Sequence, residues 1–79
     1  MDTTAATVRK VIANIAMVDI ASVTDDTKLV DDLELDSIEL VNVDTDLEES
    51  LDVEIPDSEL NAAMTVGQVI DAVKKIKEI

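Results

Sequence analysis

Apolar residues return at intervals of three and four in three separate stretches of this sequence, and that spacing is the signature of helices. Val8, Val11, Ile12 and Ile15 recur at i, i+3, i+4 and i+7. Leu40, Val43, Leu47 and Leu51 form a second stripe, and Val66, Val69, Ile70, Val73 and Ile76 a third. Each stripe covers one side of a helix and needs an apolar neighbour, which the other two provide when the three are stacked together. The chain has no aromatic side chain. Its core is therefore expected to consist of Leu, Ile, Val, Ala and Met, the larger of which contribute roughly 1.5–3 kcal/mol each when fully buried. Residues 1–79 are read as a single domain, of a size that buries only roughly 60–65% of the surface its unfolded chain exposes.

Local signals set the expected boundaries. Thr3 or Thr4 caps a first helix running to about Ala16, with Arg9, Lys10 and Asn14 turned to water. Residues 17–35 have no clean period and read as a long loop, with Val18, Ile20, Val23, Leu29, Val30 and Leu33 as its apolar pins and one helical turn at 27–30. A loop of that length is uncommon in a compact domain unless it is pinned or functional. The second helix runs over 37–50. Pro56 forces a break, and Asp57 caps a short third helix, 57–62, held by the packing of Ile55 and Leu60. Thr65 and Gln68 make a capping pair for the last helix, with Met64 and Val69 as its hydrophobic staple. Gly67 weakens that helix slightly, while Lys74, Lys75 and Lys77 suit the negative end of its dipole. The expected architecture is all-α: three main helices plus one short helix, with a long first loop.

Charge narrows the partners. The formal net charge is −13, and residues 31–59 hold 13 of the 19 acidic residues and no Lys or Arg. Such a field repels nucleic-acid phosphates and anionic lipid, and speeds encounter with basic protein surfaces. The absence of cysteine rules out a disulfide framework, a thiolate metal site and a cysteine nucleophile, and the absence of histidine removes the usual general base near neutral pH. No apolar run is long enough to span a bilayer and no signal peptide is evident, so the expected location is the cytoplasm, without membrane insertion. The carboxylates do not form calcium loops either. Asp32-x-Glu34-x-Asp36 and Asp44-x-Asp46-x-Glu48 both lack the turn glycine and the closing glutamate, so no specific metal site is expected.

The stretch on which these features converge is Asp36-Ser37-Ile38-Glu39-Leu40. Asp36 followed three residues later by Glu39 makes a capping box, with Leu35 and Leu40 as a staple. Ser37 then becomes the first helical residue. Its hydroxyl lies beside unsatisfied backbone amides, at the positive end of the helix dipole, where a phosphate is favoured. That favour amounts to roughly 0.3–1 kcal/mol, and a carboxylate about 4 Å away in water opposes it by roughly 1 kcal/mol. The two nearly cancel, so a phosphodiester there would stay free of the helix. Ile38 and Val41 lie away from the core stripe, beside Glu34, Glu39, Glu48 and Glu49. They describe a small docking surface with an apolar centre and a charged rim; half-exposed helix residues of no special role would look the same.

The run Asp32-Leu33-Glu34-Leu35-Asp36-Ser37-Ile38-Glu39-Leu40-Val41, then Leu47-Glu48-Glu49, then Val53-Glu54-Ile55-Pro56-Asp57 resembles the acyl carrier protein family, whose pattern is Asp-Leu-Gly-x-Asp-Ser-Leu/Ile, an acidic helix ending in Leu-Glu-Glu, and Ile-Pro-Asp. The likeness extends from about Val8 to Val73. It implies a four-helix carrier-protein bundle in which Ser37 receives a covalent 4′-phosphopantetheine arm from coenzyme A, and Asp36 contacts the Mg²⁺-bearing site of the transferase. It implies as partners a phosphopantetheinyl transferase and acyl-transferring, condensing or acyl-activating enzymes with basic docking patches, no nucleic acid among them, and a monomeric carrier rather than an enzyme. With no base of its own nearby, Ser37 is the substrate of a modification and not a catalyst.

Two positions depart from that pattern. Glu34 stands where the family usually has Gly, which makes the approach to Ser37 bulkier and more charged. Asp44 falls at the edge of the core stripe, in a stretch that the family often fills with apolar or small residues. An ionised carboxylate is costly to bury unpaired, so Asp44 either turns to solvent or makes the interior more polar. Family members that carry fatty acids often tuck the alkyl chain between the helices, and Asp44 suggests that this chain shields one poorly and serves a specialised pathway rather than a housekeeping one. Fatty acyl, polyketide, and aminoacyl or peptidyl cargoes all stay open. The contrasting possibility is an unmodified acidic protein-interaction module, which accounts for the charge and leaves Ser37 without a role.

Overall fold

A computed structural model describes residues 3–56 and 63–77 of the chain. Three helices make up its framework: α1 (Thr4–Ala16), α2 (Ser37–Leu51) and α3 (Val66–Lys77), with one 3-10 turn at Ile20–Ser22 between α1 and α2. The described residues are all-helical in their regular structure, as the three apolar stripes require. The short third helix expected at 57–62 lies outside the described residues.

α1 packs against both α2 and α3. The three stripes meet in one core, where Val8, Ile12, Val43, Leu47, Val66, Val69 and Val73 are fully buried and Leu40, Leu51 and Ile76 close its edge. Ile55, just before the chain-breaking Pro56, is buried in the same cluster. α1 and α3 run antiparallel. Lys77 Nζ, at the end of α3, donates to Thr4 Oγ1 at the start of α1 at 3.2 Å. Arg9 reaches Asp25 at 2.6 Å, and the Asp25 carbonyl accepts the Gly67 N–H at the start of α3. Arg9 is thus half-buried and tied to the loop rather than simply turned to water, whereas Lys10 and Asn14 are exposed as expected.

The long loop is pinned by some, but not all, of the apolar residues its composition singles out. Val23, Leu29 and Leu35 are buried and Leu33 packs on the core, but Val18 and Ile20 are exposed. The helical turn expected at 27–30 begins at Lys28, whose carbonyl accepts the Asp32 N–H at 3.2 Å, and it is preceded by a short antiparallel bridge between Lys28 and Thr65. There the Leu29 N–H donates to the Met64 carbonyl at 3.2 Å and the Val66 N–H to the Thr27 carbonyl at 2.8 Å. The single glycine belongs to this junction. A Cβ on Gly67 would sit 3.0 Å from the Asp25 carbonyl oxygen, so its place in the first turn of α3 reflects a close approach between segments.

One backbone conformation bears directly on the approach to α2. Glu34 has φ 56°, in the left-handed region where a side chain costs roughly 1–2 kcal/mol and glycine costs nothing. This gives a physical reason for glycine at the corresponding place in the family pattern. Glu34→Gly is expected to raise stability by about 0.5–1 kcal/mol, once the greater freedom of glycine in the unfolded chain is subtracted. Urea titration followed by circular dichroism checks this, and a lower midpoint would contradict it.

Candidate functional site

The start of α2 is built by the capping box that the sequence announces. Asp36 Oδ1 accepts the Glu39 N–H at 2.8 Å, and Glu39 Oε1 accepts the Asp36 N–H at 3.1 Å. Leu35, buried just before the cap, and Leu40, half-buried at the fourth helical position, form the staple that fixes the angle of entry. Upstream, the Leu35 N–H donates to the Leu29 carbonyl at 3.1 Å, and Leu29 is itself bonded to Met64, so the lead-in to α2 is tied to the lead-in to α3. Ser37 is consequently held in position from both sides, yet its side chain is exposed at the first residue of the helix.

The surroundings of Ser37 are apolar and acidic together. Ile38 is 72% exposed and Val41 62% exposed, both on the outer side of α2. Glu34 and Glu49 are exposed, while Glu39 and Glu48 are half-buried. The last two already have structural duties: Glu39 completes the capping box, and Glu48 Oε2 accepts the Ile55 N–H at 2.8 Å, fastening the connection after α2. The helix ends at Asp52, in the left-handed region with its N–H bonded to the Glu48 carbonyl.

These residues fit a phosphodiester-linked arm: a reachable hydroxyl, a rigid helix start, first-turn amides beside it and no side chain closing over it. When attached, 4′-phosphopantetheine supplies a terminal thiol that holds an acyl group as a thioester. Among the described residues, no group of three or more carboxylates is arranged to hold a metal ion. No helix among them is long and apolar enough to cross a membrane.

The sequence signals missed one exposed apolar group. Met17, 90% exposed in a left-handed turn that ends α1, stands with Val18 and Ile20 in a solvent-facing run. The absence of any helical period after Ala16 was the available sign that these side chains have no core to enter.

Comparison with known proteins agrees with this geometry. The family model described as the phosphopantetheine attachment site matches residues 6–73, which include the whole of α2. An acyl carrier protein of Thermotoga maritima is 35% identical over 68 residues, covering 86% of this chain and 84% of the relative. Meromycolate extension acyl carrier proteins are also similar. That of Mycolicibacterium smegmatis is 33% identical over 69 residues, covering 87% of this chain and 70% of the relative. That of Mycobacterium leprae is 30% identical over 71 residues, covering 90% of this chain and 62% of the relative, a little under two thirds of its length. With the family match running from the first turn of α1 to Val73 in α3, the chain belongs to the phosphopantetheine-attachment family, among its acyl carrier proteins.

Proposed function

We propose that Ser37 is the attachment point of the arm, and that the chain is a monomeric, cytoplasmic, single-domain carrier presenting acyl intermediates to partner enzymes of a specialised biosynthetic pathway. The observation that carries this reading is the exposed Ser37 hydroxyl at the first position of a helix whose start is fixed by the Asp36–Glu39 box. Asp36 holds the helix start and, beside the modified hydroxyl, faces the transferase. Activation of the serine falls to that transferase, because the sequence has no histidine.

The absence of cysteine provides a clean test. Before loading, the chain has no thiol to titrate. After incubation with coenzyme A and a promiscuous phosphopantetheinyl transferase, and removal of excess cofactor, one thiol per chain is expected. A titre that stays at zero would contradict the proposal and favour the unmodified acidic module.

Docking is assigned to the exposed pair Ile38 and Val41 and to the carboxylates of Glu34, Glu39, Glu48 and Glu49 around them. The engagement of Glu39 and Glu48 in the fold leaves Glu34 and Glu49 as the freer charges at the rim. Partners with an apolar recess ringed by Lys and Arg complement this surface. Ile38→Ala is expected to lower kcat/KM for arm transfer by about tenfold, the size of an interface anchor. Raising the salt concentration should slow the transfer further by weakening electrostatic steering. Unchanged kinetics for both Ile38→Ala and Val41→Ala would place the docking surface elsewhere.

A further inference from the structure

Among the described residues, Met17, Glu34 and Asp52 are the non-glycine residues with a positive φ. Met17 and Asp52 close α1 and α2, where a left-handed residue ends a helix by bonding its N–H back to the last turn. Glu34 closes neither. It follows the turn that begins at Lys28 and hands the chain on to the buried Leu35 and the Asp36 cap. Its N–H bonds to the Val30 carbonyl at 2.9 Å, and the Leu35 N–H bonds to the Leu29 carbonyl at 3.1 Å, so the backbone on both sides of the bend is held. The bend needs the left-handed conformation, but it needs no side chain to make it. The side chain that is present is exposed and takes no hydrogen bond or ion pair among the described residues.

A carboxylate is therefore set on a fixed backbone three residues ahead of Ser37, with the two Cα atoms no more than about 11 Å apart. An enzyme that reaches the hydroxyl must also pass this charge. Its conformation disfavours a side chain, and the fold gives that side chain nothing to bond in return. Asp31 offers a contrast: it is equally exposed, belongs to the same turn, and has no positive φ. Both residues add to the general negative field, but only Glu34 keeps its charge against a local backbone cost. We infer that Glu34 is a specificity-determining residue for arm transfer. Its carboxylate receives a Lys or Arg side chain at the rim of the transferase active site, and so selects transferases that carry a cation there. This rests on Ser37 bearing the arm, and goes beyond the docking surface proposed above by naming the rim charge that chooses the transferase.

The test measures loading kinetics of the full chain with coenzyme A and two phosphopantetheinyl transferases, the one from the protein's own organism and a promiscuous one. The substrates are the unsubstituted chain, Glu34→Gln, Glu34→Gly and Asp31→Asn. With the organism's own transferase, both Glu34 variants are expected to lower kcat/KM by about tenfold, through KM with kcat kept, as for the loss of a binding contact. Asp31→Asn, which removes the same unit of charge, should lower it by no more than about threefold, the share of the general field. With the promiscuous enzyme all three variants should stay within about threefold of the unsubstituted chain, since only that general share is lost. Glu34→Gly is the sharpest arm, because relief of its backbone should make it the more stable protein, so that slower loading cannot come from unfolding. A Glu34→Gly chain loaded by the organism's own transferase as fast as the unsubstituted one would overturn the proposal. So would equal losses in Glu34→Gln and Asp31→Asn, or equal losses with the two enzymes. An unsubstituted chain that neither enzyme loads would contradict the assignment of Ser37 itself and remove the ground for this inference, a failure seen before any variant is compared.

Discussion

Ser37→Ala is expected to abolish attachment of the arm while leaving the helix that presents it in place. The hydroxyl is exposed and takes no part in the capping box, whose two bonds run between Asp36 and Glu39. Alanine is a good helix former and places nothing polar at the first turn. The change should therefore alter stability by no more than about 0.5 kcal/mol, as for an ordinary surface substitution. Neighbouring hydroxyls are poor substitutes. Thr45 and Ser50 are exposed on the same helix, but they lie within its body, where the backbone amides already have partners and the dipole offers a phosphate nothing. Intact mass after incubation with coenzyme A and transferase reads the loss, and far-UV circular dichroism reads the fold. An arm still attached to a folded Ser37→Ala protein would sink the assignment.

Leu47→Ala should have the largest effect on stability. Leu47 is 0% exposed, in the second helix and at the centre of a core with no aromatic ring to take up the slack. Removing its branch loses the transfer energy of the deleted groups and leaves a cavity, together about 2–5 kcal/mol. A chain of this length is expected to be stable by only roughly 4–12 kcal/mol, and self-repulsion among its acidic residues pulls toward the lower figure. The thermal midpoint should fall by roughly 10–30 °C. Ile38→Ala removes an equally apolar side chain from the same helix, but one that is largely exposed, and should shift the midpoint little. If the two substitutions destabilised equally, the division of α2 into a core side and a docking side would be wrong.

The difference between those two leucine-sized residues was legible before the structure, because helical spacing alone puts Leu47 on the stripe and Ile38 off it. The starts of α2 and α3 were legible for a related reason. A capping box joins residues three apart, so Asp36 with Glu39 and Thr65 with Gln68 declare themselves locally, and both pairs are bonded as expected. The loop over 17–35 was much less so. What organises it is long-range: Leu29 to Met64, Thr27 to Val66, and the close approach of Asp25 to Gly67. No periodicity within the loop encodes such pairings, which is why its apolar residues divided unexpectedly, Val23 and Leu29 inward, Val18 and Ile20 outward. The left-handed conformation of Glu34 was hidden for another reason, since the residue present is one that ordinarily avoids it. For Asp44, helical spacing gave the position at the edge of the stripe but not the environment. The structure shows the group half-buried, with one oxygen shielded, so it contributes to a more polar interior instead of turning out to solvent.

The most direct measurement is tandem mass spectrometry on the unsubstituted chain after incubation with coenzyme A, Mg²⁺ and a phosphopantetheinyl transferase, carried out so that the modified residue is located within its peptide. A single 4′-phosphopantetheine on Ser37, with every other serine and threonine unmodified, is the predicted result. A chain that remains unmodified under conditions that load another carrier, or an arm found on any other hydroxyl, would contradict it.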